Sequence, residues 1–257
     1  MPNQSTTNQS TTNQGTTNQG TMLPPLIAII GCDGSGKSTV SKELATWISG
    51  YGPVAIVHLG KQQGNMGRWF SGLPLVGRWF ESLIGRKETA VRKSRGKNRA
   101  PDMLTAAVMY AFTLRRVRRY KRMMALRRQG LIIIADRYPQ LDIPSASDGP
   151  DLSVDAQGNR FVRWLAQREQ AYFEWMTSYR PDLVIRLNVD LDTACARKPD
   201  HRREALKRKL EVIERLTHKG APIIEIDALQ PLKVVLAAAK AAVNDTLAER
   251  GYQRSAS

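Results

Sequence analysis

A glycine-rich segment directly after a short apolar run constrains the fold of this chain more than any other feature. The apolar run is Leu26 to Ile30, and the segment from Gly31 to Thr39 reads Gly-Cys-Asp-Gly-Ser-Gly-Lys-Ser-Thr. This segment matches the pattern G-x-x-x-x-G-K-[ST], which requires a strand before it and a helix after it. Apolar residues at helical spacing follow as far as Ile48. The order of strand, loop and helix predicts a loop whose backbone N–H groups bind the phosphates of a nucleotide.

Two residues of this loop are candidates for direct chemical roles. Lys37 is placed to reach the β- and γ-phosphates, and the hydroxyl of Ser38 is placed to bind Mg²⁺. The rest of the loop is expected to surround the phosphates. The candidate nucleotide-binding residues of the loop are Gly31, Asp33, Gly34, Ser35, Gly36, Lys37, Ser38 and Thr39.

Five short apolar runs alternate with segments long enough to form helices, which predicts an α/β fold. The runs are rich in β-branched residues and are bounded by Gly, Pro and Asp, as buried parallel strands are. We expect a five-stranded parallel sheet with helices on both faces, and ligands bound beyond the carboxyl ends of the strands. The predicted strands are Leu26 to Ile30, Val54 to Leu59, Leu131 to Ala135, Leu183 to Val189 and Ile223 to Ile226.

Composition divides the chain into one domain with two tails. Residues 3 to 20 repeat Thr-Thr-Asn-Gln-Ser or Thr-Thr-Asn-Gln-Gly without large apolar side chains, so residues 1–21 are predicted to be a disordered tail. Residues 22–250 are predicted to form the domain, with a basic and aromatic insertion at about 60–100, and residues 251–257 a second tail. No signal peptide and no membrane-spanning run is found in the sequence, which favours a cytoplasmic protein with no membrane partner.

The formal net charge of +16 indicates that the protein attracts anions. Basic residues cluster at Arg86 to Arg99, Arg115 to Arg128 and Arg197 to Lys209. Three interpretations compete: binding of substrate phosphates, solvated surfaces, and a nucleic-acid-binding ATPase. Because the chain shows no nucleic-acid-binding module, a nucleic-acid partner is not expected. A nucleotide-binding scaffold without activity is a further alternative, which the intact candidate residues disfavour.

A second motif follows the predicted strand Leu131 to Ala135. That strand ends in Asp136-Arg137-Tyr138, which puts a carboxylate beside a guanidinium at a carboxyl strand end. A carboxylate there can hold Mg²⁺ opposite Ser38. The alternative is a strand-end turn with a surface ion pair.

These segments resemble the thymidylate kinase family of P-loop nucleoside monophosphate kinases, over about residues 22 to 245. The resemblance rests on Gly31 to Thr39, on Gly130 to Tyr138, and on Pro181 to Asp190 followed by Ala194 to Lys198. The family adds a helical lid to the P-loop fold, and it uses ATP and Mg²⁺ as cofactors. The implied activity is transfer of the γ-phosphoryl group of ATP to a small acceptor.

Carried over by position, the resemblance assigns roles to individual residues. Lys37 would neutralise the transferring phosphoryl group, Ser38 and Asp136 would hold Mg²⁺, and Arg137 would contact the acceptor. The variable positions of the phosphate loop contain no basic residue, so the resemblance implies that the catalytic arginine comes from the lid. The candidate is Arg197, which would also contact ATP. The alternative is that Arg197 is an exposed helix residue. The implied catalytic residues are Lys37, Asp136, Arg137 and Arg197. The implied acceptor-binding residues are Arg115 and Arg137, and Asp33 and Asp148 are further candidates for binding the acceptor.

The acceptor half departs from the family pattern. After the second strand, the family carries Arg-Glu-Pro-Gly-Gly to bind acceptor phosphate, whereas this chain has His58-Leu59-Gly60-Lys61-Gln62 and no arginine. His58 is either an acceptor or proton-transfer residue or a structural one. Asp148 either binds acceptor hydroxyls or forms the turn of Asp-Gly-Pro. His201 and His218 are expected at the surface.

The sequence therefore predicts an ATP- and Mg²⁺-dependent kinase whose acceptor is a nucleoside monophosphate, with dTMP as the first expectation. The alternative is a kinase of the same fold that acts on a nucleoside, a sugar or another small hydroxyl compound. The expected partners are a nucleoside triphosphate donor and a small phosphate or hydroxyl acceptor. Whether the chain forms a homodimer is left open by the sequence.

Overall fold

The computed structural model of the protein describes residues 22–60, 101–144, 146–155 and 159–254. Within these residues it contains five strands in one sheet, and six helices. The strands are β1 (Leu26–Gly31), β2 (Val54–His58), β3 (Ile132–Asp136), β4 (Leu183–Asn188) and β5 (Ile223–Asp227). The helices are α1 (Lys37–Ile48), α2 (Met103–Arg128), α3 (Arg160–Ser178), α4 (Leu191–Arg197), α5 (Arg203–Glu214) and α6 (Leu232–Glu249). The predicted fold class is confirmed, and each predicted strand agrees with the observed one to within one residue at either end.

The sheet is parallel throughout, with the strand order β2-β3-β1-β4-β5. The central strand β1 pairs with β3 on one side and with β4 on the other. The last residue of β2, His58, lies opposite the last residue of β3, Asp136. The carboxyl ends of β1, β2 and β3 therefore come together at one edge, where ligands bind in sheets of this kind.

Helices cover both faces of the sheet because the strands are apolar on both sides. In β1, Ile27 and Ile29 face the layer formed by α1 and α6, while Leu26, Ala28 and Ile30 face the layer formed by α2, α3 and α5. All five of these side chains are buried. Burying a side chain of the size of Leu or Ile is worth roughly 1.5–3 kcal/mol, so the two apolar layers fix the sheet between them.

The helix starts differ in one way that matters for the site. Asp102, Asn159 and Asp190 cap α2, α3 and α4 with side-chain oxygens that accept backbone N–H groups. The residue that precedes α1 is Gly36, which has no side chain to offer. Because the first N–H groups of a helix have no partner inside the helix, those of α1 remain directed at the carboxyl edge of the sheet.

The predicted tail of residues 1–21 and nearly all of the predicted insertion lie outside the described residues. In the segment expected to be a second tail, Tyr252 packs against the layer formed by α1 and α6. Among the helices of the described ranges, none combines the length and apolarity that crossing a membrane would require.

Candidate active site

The phosphate loop, Gly31 to Thr39, connects β1 to the first turn of α1. Its backbone turns at Gly34 and Gly36, whose φ angles of 90° and 85° lie in the left-handed region that glycine adopts without strain. Gly34 also lies against α4, since a Cβ there would come within 3.3 Å of the Ala194 carbonyl oxygen. The loop thus takes the form that the sequence predicts for a phosphate-binding loop.

Lys37 is held inside this loop. Its Nζ donates hydrogen bonds to the carbonyl oxygens of Gly31, at 2.9 Å, and of Cys32, at 2.6 Å. Burial of the side chain and the nearby Arg137 guanidinium lower the pKa of Lys37, because both disfavour a further positive charge. A negatively charged group beside Nζ would relieve both effects.

An open cleft of about 310 Å³ lies between the phosphate loop and the ends of β2 and β3. Its lining includes most of the residues predicted for nucleotide and metal binding. The lining residues are Asp33, Gly34, Gly36, Lys37, Ser38, Thr39, His58, Asp136, Arg137 and Lys198. The Ser35 side chain is buried within the loop, and a Cβ at Gly31 would come within 2.5 Å of its Oγ. Its predicted contact with the nucleotide stays a prediction.

Within the described residues, one carboxylate oxygen of Asp136 contacts a neighbouring side chain and the other has no hydrogen-bond partner. The Oδ2 atom lies 2.6 Å from Nδ1 of His58. The Oδ1 atom is buried and has no hydrogen-bond partner in the part of the chain that the structure describes. Since Ser38 lines the same cleft, a carboxylate oxygen and a hydroxyl are available there together, which is the type of donor set that suits Mg²⁺.

Asp33 links the phosphate loop to two basic residues from distant parts of the chain. One of its oxygens accepts a hydrogen bond from Arg137, at the end of β3, and the other from Lys209 on α5. Burial alone would raise the pKa of this carboxyl, but Arg137 and Lys209 together lower it to about 2. Asp33 is therefore a carboxylate at neutral pH, and its charge is shared between two cations.

Asp148 occupies the other side of Arg137, with its Oδ2 3.9 Å from an Arg137 nitrogen. Its backbone has a φ of 64°, and Arg116 on α2 holds it there through two hydrogen bonds. Arg116 donates to the Asp148 carbonyl oxygen at 2.8 Å and to its Oδ1 at 3.0 Å. We call the linked residues Arg116, Asp148, Arg137, Asp33 and Lys209 the charge array.

The structure differs from the sequence prediction at Arg115. This residue is exposed on α2, whereas the next residue, Arg116, is only 3% exposed and contacts Asp148. The helical repeat turns neighbouring residues by about 100°, so a displacement of one position moves an arginine from the site to the surface. Arg116, and not Arg115, is therefore the arginine of α2 that contacts Asp148.

Arg197, the predicted lid arginine, lies at the end of α4, beside the phosphate loop. Its guanidinium donates to the Gly34 carbonyl oxygen at 3.1 Å and to the Ala228 carbonyl oxygen at 3.4 Å. The side chain thus connects the phosphate loop to the segment after β5. Its position next to the loop agrees with the predicted role, which stays a prediction.

Sequence reasoning missed Lys209 and Arg116 as members of the site. They lie in the basic clusters Arg115 to Arg128 and Arg197 to Lys209, but no local sequence pattern shows which arginine or lysine faces the site. The prediction for His218 was wrong: it is 5% exposed, packed against Tyr138, and burial lowers its pKa. His201 is half-buried, with its Nε2 3.7 Å from Asp33 Oδ2.

Fold and loop together define a P-loop α/β protein. A solved structure of deoxyadenosine kinase from M. mycoides with bound dATP is similar in fold, with a TM-score of 0.50 and 15% sequence identity. The match covers 86% of this chain and 99% of that one. The likeness supports the predicted P-loop kinase fold, whereas the thymidylate kinase assignment stays a prediction.

The chain belongs to the family of the Escherichia coli ATP-binding proteins YghS and YghR. It is 39% identical to the uncharacterized ATP-binding protein YghS of strain K12 over 223 residues, which are 86% of this chain and 93% of that protein. It is 36% identical to the uncharacterized ATP-binding protein YghR of the same strain, over 86% of this chain and 88% of that protein. No family profile matches the chain.

Proposed function

We propose that the protein is an ATP- and Mg²⁺-dependent phosphotransferase that transfers the γ-phosphoryl group to a small acceptor. One observation carries this proposal: Lys37, Ser38 and Asp136 line a single cleft at the carboxyl ends of β1 and β3, and Oδ1 of Asp136 has no hydrogen-bond partner among the described residues. The names of the relatives YghS and YghR, both ATP-binding proteins, support the donor. The kinase fold supports the reaction type.

The donor side supplies charge to the triphosphate. The Lys37 ammonium, now held by two carbonyl oxygens, can turn to the β- and γ-phosphates, while the N–H groups at the start of α1 face them. Ser38 and Asp136 would hold Mg²⁺, which neutralises phosphate charge when it is bound. Arg197 lies close enough to the loop to stabilise charge on the phosphoryl group during transfer.

The acceptor side contains the charge array, with Arg137 at its centre. Phosphoryl transfer depends mainly on positioning and charge stabilisation, so residues that orient the acceptor have a large effect on rate. Asp33, Arg137 and Asp148 are the residues that we assign to this task. The expectation that the acceptor is dTMP comes from the resemblance to thymidylate kinases and stays a prediction.

Calorimetry with MgATP tests the donor assignment. We expect the native protein to bind MgATP. We expect Lys37→Ala to weaken binding or remove turnover. The loss in rate should be about 10³-fold or more, because a buried charge that binds phosphate is lost. Lys42→Ala is the matched control, since Lys42 is exposed on α1. Native protein that takes up neither ATP nor GTP in the presence of Mg²⁺ would contradict the proposal.

A further inference from the structure

On the acceptor side, unlike in a free anion-binding site, the cationic side chains are already paired with carboxylates. In the charge array, three cations alternate with two carboxylates. We propose that the acceptor reacts through a neutral hydroxyl group, as a nucleoside or a sugar does, and not through a phosphate group. This inference rests on the phosphotransferase function proposed above and specifies its substrate class.

Arg137 is the first observation behind this proposal. In the resembled family its counterpart contacts the acceptor, but here its guanidinium lies between two carboxylates, hydrogen-bonded to Asp33 and 3.9 Å from Asp148. An acceptor phosphate carries a charge of about −1.5 to −2 at neutral pH. Placed beside Arg137, it would also lie beside Asp33 and Asp148, and like charges at this range repel.

Arg116 offers no compensation to a phosphate. It is buried, and its two terminal nitrogens both donate to Asp148, one to the backbone carbonyl and one to the carboxylate. This pairing fixes Asp148 at the edge of the site, and with it the negative charge. A carboxylate so placed accepts a hydrogen bond from a hydroxyl group but repels a phosphate.

The end of β2 supplies the third observation. His58 stands at the strand end, and its ring is engaged by Asp136 at 2.6 Å. At Gly60 any side chain is excluded, because a Cβ would overlap with Cδ of Arg137. The Gly60 carbonyl oxygen accepts a hydrogen bond from Arg119 at 2.8 Å, so that guanidinium is also engaged. Among the described residues of this strand end, no arginine or lysine occupies the place of the family's acceptor-phosphate arginine.

The proposed reaction balances in atoms and charge. The hydroxyl oxygen forms a bond to the γ-phosphorus, and the bond from that phosphorus to the β,γ-bridging oxygen breaks with its electron pair leaving on ADP. The hydroxyl proton is released to water. Near pH 8 a hydroxyl acceptor therefore releases about one proton per ADP, whereas a phosphate dianion as acceptor releases about none, since it has no proton to lose.

Titration with dTMP tests the inference without a known substrate. Asp148→Asn removes the negative charge but keeps an oxygen for Arg116 and a residue type that tolerates a positive φ, so dTMP affinity should rise at least tenfold. Asp33→Asn is a second variant with the same expected direction. Asp192→Asn is the control, because Asp192 is exposed on α4 and pairs with Arg203.

Two results would overturn the inference. One is ADP formation driven by dTMP without proton release, and the other is unchanged dTMP affinity in both folded variants. Proton release gives an independent check with thymidine, deoxyadenosine, glucose and dTMP, each compared with the rate of ATP hydrolysis without acceptor. A failure of the proposed function is distinguishable, because it appears as absent MgATP binding whatever the dTMP titration shows.

Discussion

The donor and acceptor sides of the cleft are built in different ways. On the donor side, Lys37 contacts carbonyl oxygens only five and six residues away, within one loop. On the acceptor side, Asp33 contacts Arg137 and Lys209, which are 104 and 176 residues away. A local motif can therefore be read from consecutive residues, whereas the acceptor side exists only once the sheet has brought distant segments together.

After Lys37, the largest effect should come from Arg197, on the donor side. Replacing it with alanine should lower kcat for ADP formation by about 10²–10³-fold, because charge on the transferring group loses a donor. The Kd for MgATP should change by less than about threefold, since the interaction strengthens during transfer. Arg208→Ala on α5, an exposed position, provides the control. An unchanged kcat would show that Arg197 only joins the loop to Ala228.

A smaller effect is expected from Arg116, on the acceptor side. Arg116→Gln leaves Asp148 without its buried partner and should lower the free energy of unfolding by about 2–4 kcal/mol. The adjacent exposed variant Arg115→Gln should change it by less than about 0.5 kcal/mol. Chemical denaturation of both variants measures the difference. Equal values would mean that Arg116 does not support the acceptor side.

The smallest effect concerns His218, which packs beneath Tyr138 next to the site. Its pKa is lowered by burial, so the unfolded chain binds a proton at higher pH than the folded protein does. Folding stability should therefore fall as pH drops below about 6.5, the ordinary pKa of histidine. His218→Asn cannot titrate and should lose about 2 °C less in Tm between pH 7.5 and 5.5. His201→Asn is the control, and an identical pH dependence in the His218 variant and native protein would refute this assignment.

Much of the fold could be predicted because it depends on short-range patterns. All five strands are mostly runs of Ile, Leu, Val and Ala bounded by turn residues; β1, β3 and β4 are buried, whereas the edge strands β2 and β5 are partly exposed. The phosphate loop and Asp136 could be found for the same reason, since each lies at the carboxyl end of a strand. These signals concern consecutive residues and need no knowledge of distant contacts.

The remaining site residues could not be found in this way. A helix such as α2 contains Arg115, Arg116, Arg118 and Arg119, and the choice among them depends on which face meets Asp148. His218 was predicted at the surface because its neighbours are polar, but the chain folds it against Tyr138. In both cases tertiary packing determines which face of the segment is buried, and the local pattern of a single sequence does not show that packing.

Asp33 has a consequence for how such proteins can change their substrates. It stands at a variable position of the phosphate-loop pattern, yet its carboxylate accepts a hydrogen bond from Arg137, the arginine that we propose borders the acceptor. A newly acquired acceptor therefore cannot be accommodated by altering only the far wall of the cleft. Residues at the variable positions of a nucleotide-binding motif can still determine which second substrate the protein accepts.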